Sequence, residues 1–328
     1  MNQFQYVRPA ETSGAIKSIA LDTNAHFLAG GTNLIDLMKM GIIAPERLVD
    51  INNLPLKTIE NIPGHLRIGT LVTNTQVAEN QFIKENFPLL SMAINAGASP
   101  QLRNMATTGG NLLQRTRCPY FFDTTMPCNK RVPGSGCGAL EGYNRMHAIF
   151  GASDKCIAVN PSDMNVALTA LNALVHVSGP KAARTIPFAD FHRLPGDHPE
   201  LDTTLQKGEL ITSVDIPTVP FTKNVYYLKV RDRSSYAFAL VSAAVALNIE
   251  NNTIQDVRLA MGGVAHKPWR LIATETFLKG KTVSEETFKQ AAQIAMEGAK
   301  AYEHNKFKLK LAPNALLQAL KTASGLKA

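Results

Sequence analysis

Hydrophobic and polar positions change period along this 328-residue chain, and the changes divide it into three parts. Residues 1–57 read as a small α/β unit. The apolar run from His26 enters a glycine turn at Gly30 and Gly31, and TNLIDLMKMG follows with Leu34, Leu37 and Met38 on one helical face. Thr32 or Asn33 can cap that helix and Gly41 can end it, before ERLVDI returns as a strand. Residues 58–181 form a second unit. HLRIGTLVTN alternates as a strand, QVAENQFIKENFPLLSMAINAG has helical periodicity, TTGGNL gives a second glycine turn, and SDMNVALTALNALVHV is a helix running into a strand. Within it, residues 114–158 have no period and read as a loop-like insertion. From 182 to 328 the strand-like runs ITSVDIP, NVYYLKV, ALVSAAVALNIE and DVRLAMGGV predict an antiparallel sheet, the last two joined at Asn251 and Asn252. Two helices close the chain, one capped by Ser284 and one starting at Pro313. The predicted fold class is α+β.

Composition narrows the function. Hydrophobic content of 45% and charged content of 18% describe a globular chain rather than a disordered one. The net charge of +8 is scattered, densest at Arg115, Arg117, Lys130 and Arg131, with no nucleic-acid-binding pattern attached. The N-terminal segment lacks a charged region followed by an apolar one, and no apolar run reaches the roughly 20 residues that cross a bilayer. The expectation is cytoplasmic synthesis, with export only alongside a partner that carries a twin-arginine signal.

Two features carry chemistry. The turns AGGTNL and TTGGNL place adjacent glycines where backbone N–H groups can approach an anion, with hydroxyl and amide side chains beside them. Neither has the spacing of a Rossmann or P-loop motif, and either alone is equally an ordinary tight turn. All four cysteines, Cys118, Cys128, Cys137 and Cys156, fall in one 39-residue window with spacing C-x9-C-x8-C-x18-C. Four thiolates complete one cubane cluster or one structural zinc. The missing CxxC pair counts against zinc, and the crowding basic residues would offset the negative charge of a [4Fe-4S] cluster. Disulfides or four unrelated free cysteines remain as alternatives.

The segments FLAGGTNLIDLMK, RIGTLVTNT, SPQLRNMATTGGNL, NPSDMNVALTAL, YLKVRDRSSYAFALVSAAVAL and LAMGGVAHKPWR resemble the FAD-binding medium subunit of the molybdenum hydroxylases, the xanthine dehydrogenase and carbon monoxide dehydrogenase family. The resemblance implies a two-part FAD-binding domain of the vanillyl-alcohol-oxidase (PCMH) type followed by a C-terminal domain of antiparallel sheet and helices. It implies FAD ligands at Leu28, Ala29, Gly30, Gly31, Thr32, Asn33 and Leu34, at Thr108, Gly109, Gly110 and Asn111, and at Asp163, with Lys229 near the isoalloxazine. The chain departs from most of the family between Asn111 and Asp163, where 51 residues replace a short connection and hold all four cysteines. That insertion is similar to those of periplasmic-type aldehyde oxidoreductases and of 4-hydroxybenzoyl-CoA reductase, and its wording is closer to the aldehyde branch. The LAPNAL segment also lacks a basic residue expected of the family, which touches no cofactor ligand.

The resemblance further implies two partners, a large subunit with a molybdenum cofactor and a small subunit with two [2Fe-2S] clusters, and an external electron acceptor. No catalytic acid–base constellation is expected in this chain. A stand-alone flavin oxidase and a zinc-stabilised binding module are the competing readings. His147 and His266 read as structural or surface residues because four thiolates already complete a ligand set. Tyr226, Tyr227 and Tyr236 read as core residues before flavin contacts, and Trp269, in a loop after Pro268, reads equally as interface or core.

Overall fold

The computed structural model describes residues 1–20, 22 and 24–326, and among them the strands form three sheets. The first contains β1 (Gln5–Val7), β2 (Ala25–Leu28) and β3 (Arg47–Asp50) in the order β1–β3–β2. Both pairings are parallel because a helix separates each strand from the next, Thr12–Ala20 and then Leu34–Lys39. Ala15, Ile16 and Ile19 of the first helix close over Val49, Ile51 and Leu54.

The second sheet contains β4 (Ile59–Ile62), β5 (His65–Gly69), β6 (Leu174–Ser178), β7 (Ala183–Pro187) and β8 (Leu210–Pro217). Its order is β4–β5–β8–β6–β7, antiparallel throughout. The sheet moves the expected boundary at residue 182. β8 is the ITSVDIP run, and it pairs between β5 and β6 instead of joining the later strands, so a division at 182 would cut this sheet in two. The strand expected through Asn74 ends at Gly69, because Thr73 and Gln76 form a capping box that starts the helix Asn74–Glu79. The helices Pro88–Ala96 and Asp163–Ala170 share one core with this sheet, in which Leu89, Leu90, Leu168, Val175 and Val214 are fully buried.

The third sheet runs β12–β11–β10–β9, with β9 (Asn224–Val230), β10 (Val241–Glu250), β11 (Thr253–Gly262) and β12 (Trp269–Arg270), all antiparallel. Asn251 and Asn252 both take positive φ, 48° and 61°, as the tight primed turn of a hairpin requires. β10 is buried on both faces. Ala244 and Ala246 pack into the core of the second sheet, while Ala243, Val245 and Leu247 pack under the C-terminal helices. The last helix runs Lys308–Ser324, so Pro313 lies inside it rather than at its start.

The insertion is held by side chains rather than by regular structure. Its helix is Pro119–Phe122, and Cys128 and Cys137 form an isolated antiparallel bridge. The Arg131 guanidinium donates to the Tyr120 and Phe121 carbonyls at 2.8 Å each. Its far end is docked on the C-terminal part, where Asn305 Nδ2 donates to the carbonyls of His147 and Ala148 at 3.2 and 3.1 Å. Lys308 Nζ donates to those of His147 and Gly263 at 2.9 and 2.7 Å.

Candidate cofactor cleft and thiol cavity

A cleft of about 910 Å³ opens where the three sheets' connecting segments meet. The first glycine turn supplies one wall through Gly30, Gly31, Thr32 and Asn33. Gly30 is dictated by close approach, since a Cβ there would overlap the Met105 carbonyl, and Gly31 has φ +72°. Among the described residues, the backbone N–H groups from Gly30 to Leu34 have no protein acceptor. Asn33 Oδ1 accepts the Arg115 N–H at 3.1 Å, while its Nδ2 is buried without a partner. Across the cleft, Asn74 is buried with an unpartnered Oδ1. Free backbone donors beside two orphaned amide atoms form a polar cradle suited to phosphate and heterocyclic hydrogen-bonding groups.

The second glycine pair is built differently from the tight turn its sequence predicts. Thr108–Leu112 is one helical turn capped by Thr107. Its leading donors are spent on the protein: Thr108 N–H on the Val72 carbonyl, Gly109 N–H on that of Thr70, and Gly110 N–H on Thr107 Oγ1. Gly110 and Asn111 line the cleft, whereas Thr108 and Gly109 are packed behind it. Asn111 Oδ1 accepts from Ser162 Oγ at 2.5 Å and from Gln114 Nε2 at 2.9 Å. Leu28, Ala29 and Leu34 also stand outside the cleft lining, Leu28 in the β2–β3 ladder and Ala29 with its carbonyl accepting from Asn52 Nδ2.

Asp163 and Lys229 meet at 2.7 Å, each nearly buried, at the edge of the cleft. The other Asp163 oxygen accepts from Tyr227 Oη at 2.7 Å, and that hydroxyl is also 3.0 Å from Ser242 Oγ. Burial, followed by the Asp163 charge, pushes the Tyr227 phenol well above its usual range, so it stays a donor. Lys229 Nζ and Arg231 also donate to the Ala96 carbonyl at 3.1 Å each, and Arg103 donates to that of Gly97 at 2.7 Å. Three cations thus fix the segment that ends the helix Pro88–Ala96 and borders the cleft.

The four cysteines, free thiols widely spaced in sequence, line one small cavity together with His147 and Lys130. Burial pushes the Cys118 thiol up to about 12 and Cys156 up to about 11, and raises Cys137. Neighbouring cysteines add to each rise, which places the sulfurs within electrostatic reach of one another. Backbone N–H groups oppose it: those of Phe121 and Tyr120 toward Cys118, those of Ala139, Ile157 and Leu140 toward Cys137, and that of Ala158 toward Cys156. Among the described residues, no three His, Cys, Asp or Glu side chains converge as one metal ion requires. A single zinc would bring four sulfurs to about 3.8 Å of one another, given Zn–S bonds near 2.3 Å.

A third cavity, of about 90 Å³, lies between these two. It shares Arg117, Met146, Asp163 and Phe238 with the cleft, and Thr116, Cys118 and His147 with the thiol cavity. Arg117 is the bridge in charge as well, bonded to Asp36 at 3.2 Å and stacked on Phe122 and Phe238 at 5.7 and 5.1 Å.

Sequence reasoning left Asn74 and Phe238 unassigned, named Arg117 only for its charge, and read His147 as a structural or surface residue. Asn74 was visible only as part of an alternating run. His147 is buried with Nε2 at 3.1 Å from Cys118 Sγ. His266 is buried against the Arg193 carbonyl, Tyr227 is buried, and Trp269 stacks on Phe150 with centroids 5.1 Å apart. Tyr236 lies instead on the cleft rim, largely exposed.

Residues 2–219 match the family model described as the FAD binding domain in molybdopterin dehydrogenase, and residues 226–323 match the CO dehydrogenase flavoprotein C-terminal domain. The chain belongs to the FAD-binding subunits of the molybdenum hydroxylase family. Within that family it is 47% identical to the aldehyde oxidoreductase FAD-binding subunit PaoB of Escherichia coli (strain K12), over 98% of this chain and 99% of the relative. It is 30% identical to the glyceraldehyde dehydrogenase medium chain of Sulfolobus acidocaldarius, over 88% of this chain and 86% of the relative. Two solved structures share its fold. Quinoline 2-oxidoreductase from Pseudomonas putida 86 superposes with a TM-score of 0.76 at 25% identity, covering 99% of this chain and 98% of the other. Carbon monoxide dehydrogenase from Hydrogenophaga pseudoflava gives 0.78 at 24% identity, covering 100% and 99%. As in those subunits, the chain is one part of an oxidoreductase. No described helix is long and apolar enough to cross a membrane.

Proposed function

We propose that this chain is the electron-transfer subunit of an aldehyde-oxidising molybdenum hydroxylase, holding FAD in the 910 Å³ cleft and a [4Fe-4S] cluster on its four cysteines. The observation that carries the flavin site is the run of unpaired backbone N–H groups at Gly30–Leu34 in a cleft also lined by Asn33 and Asn74, each with an unpartnered amide atom. Asn33, Thr32, the glycine backbone, Gly110 and Asn111 would hold the cofactor, with Asp163 and Lys229 at the cleft edge. FAD, when bound, accepts and releases electrons one or two at a time. The chain's residues bind it, orient it, and surround it with the fixed charges of Arg103, Arg117 and Lys229.

The thiol donor set supports a cluster over a single ion. Four thiols lining one cavity, two buried and two half-buried, with backbone N–H groups lowering the thiol pKa of Cys118, Cys137 and Cys156, are costly as a packing choice but match a thiolate-ligated cluster. The space among them is only about 10 Å³, so the thiols must move apart to admit it. The likeness to an aldehyde oxidoreductase subunit supports the substrate class. By the same likeness, substrate is oxidised on a large molybdenum-cofactor subunit, a small subunit with two [2Fe-2S] clusters relays electrons here, and an external acceptor receives them.

The test is reconstitution. The full chain purified alone should carry about one FAD and oxidise no aldehyde; co-expressed with a molybdenum subunit and a ferredoxin-like subunit, it should support aldehyde-dependent reduction of an artificial acceptor. Aldehyde turnover by the isolated chain would instead establish a stand-alone oxidase.

A further inference from the structure

We infer that His147 is a positioning residue for the cluster, donating an Nε2–H hydrogen bond to the Cys118 thiolate at the corner that faces the flavin cleft. This rests on the four-cysteine cluster proposed above. Three observations support it. First, Nε2 lies 3.1 Å from Cys118 Sγ, inside the reach of a hydrogen bond to sulfur. Second, the residue is held in place: it is buried, its ring stands 6.3 Å from that of Tyr120, its backbone carbonyl is bonded by Asn305 and Lys308, and its Nδ1 has no other partner among the described residues. Third, Cys118 and His147 line both the thiol cavity and the cavity that adjoins the cleft, which none of the other three cysteines does.

The direction of the bond follows from which atom has a proton. In a metal-free chain the Cys118 thiol keeps its proton, and either atom of the pair can donate. A metal-bound thiolate has none, so the proton must sit on Nε2 and the imidazole is fixed as the Nε2–H tautomer. An N–H donor at a ligating sulfur would withdraw electron density from it and favour the more reduced state of a cluster, which raises the reduction potential. Nothing is oxidised or reduced by the histidine itself.

The experiment uses the full chain purified with its cofactors, and follows iron content and the cluster's midpoint potential by redox titration monitored by electron paramagnetic resonance. His147→Leu, which removes the donor, is expected to keep four irons and shift the cluster potential to more negative values while leaving the flavin potential in place. His147→Gln, which keeps an N–H, should recover part of the shift. A wild-type potential in a fully loaded His147→Leu protein would overturn the inference. Should the leucine variant fail to fold, the wild-type protein labelled with 15N-histidine decides. A weak nitrogen coupling to the reduced cluster is expected; no coupling, or the strong coupling of an iron-bound nitrogen, would overturn it. Absence of iron from the wild-type protein would instead refute the cluster on which the inference rests.

Discussion

At the scale of single residues, the two unpaired amides in the cleft are the most informative groups in the molecule. A buried amide atom without a partner costs about 1–3 kcal/mol, so two of them on residues that line one cleft fit a cleft built to take a polar ligand. Asn33→Ala and Asn74→Ala should each weaken FAD binding by about tenfold, the equivalent of one hydrogen bond; Asn74→Ala should leave the ligand-free fold as stable or more so, whereas Asn33→Ala also loses the bond from the Arg115 N–H and should be less stable. Flavin titration into the stripped protein, beside thermal unfolding of the same protein, measures both. Legibility differed between the two sites. Asn33 sits in a glycine turn whose chemistry is local and can be read from sequence. Asn74 gains its place only when the Thr73 capping box turns the chain out of β5, and the alternation of HLRIGTLVTN hides that stop.

At the scale of elements, the strands and helices followed from periodicity, and their partners did not. β9, β10 and β11 were legible because each alternates and each neighbours the next in sequence. β8 was misplaced because it pairs with strands nearly 150 and about 40 residues earlier, information that no local pattern contains. The second glycine pair was read as a turn because glycine disfavours helix interiors, yet Gly109 must pass so close to Thr70 that no Cβ fits. The final helix begins at Lys308, a lysine buried at the junction with the insertion.

Lys308 also gives this junction a pH dependence. Burial lowers it from the usual lysine value of 10.5 to about 7, so the unfolded chain binds the extra proton between those values. Stability contributed at this position is therefore lowest below pH 7 and rises as the pH climbs toward 10. In chemical denaturation of the metal-free chain, wild type should gain stability relative to Lys308→Met between pH 7 and 9, by about 1–3 kcal/mol. Parallel pH profiles for the two proteins would show that Lys308 titrates normally.

At the scale of the whole molecule, the insertion joins all three parts of the chain. Arg115 ties its start to the first glycine turn through Asn33 and to Asp202, Lys130 pairs with Asp202 from its middle, and Asn305 and Lys308 hold its end. That the cysteines belong together was legible from their count and clustering, and they do line one cavity; the cavity that links them to the cleft was not legible. Arg117, Met146 and His147 connect them through a cavity that only the folded chain assembles. A cluster there would brace the same contacts that shape the flavin cleft, so the cofactors should stabilise one another. The most direct test is the iron, sulfide and flavin content of the full chain purified anaerobically, compared with Cys137→Ser. The expected result is about four irons, four sulfides and one FAD in wild type, and loss of iron with a lower unfolding temperature in the variant. One FAD with no iron or sulfide in wild type, and an unchanged Cys137→Ser protein, would contradict it.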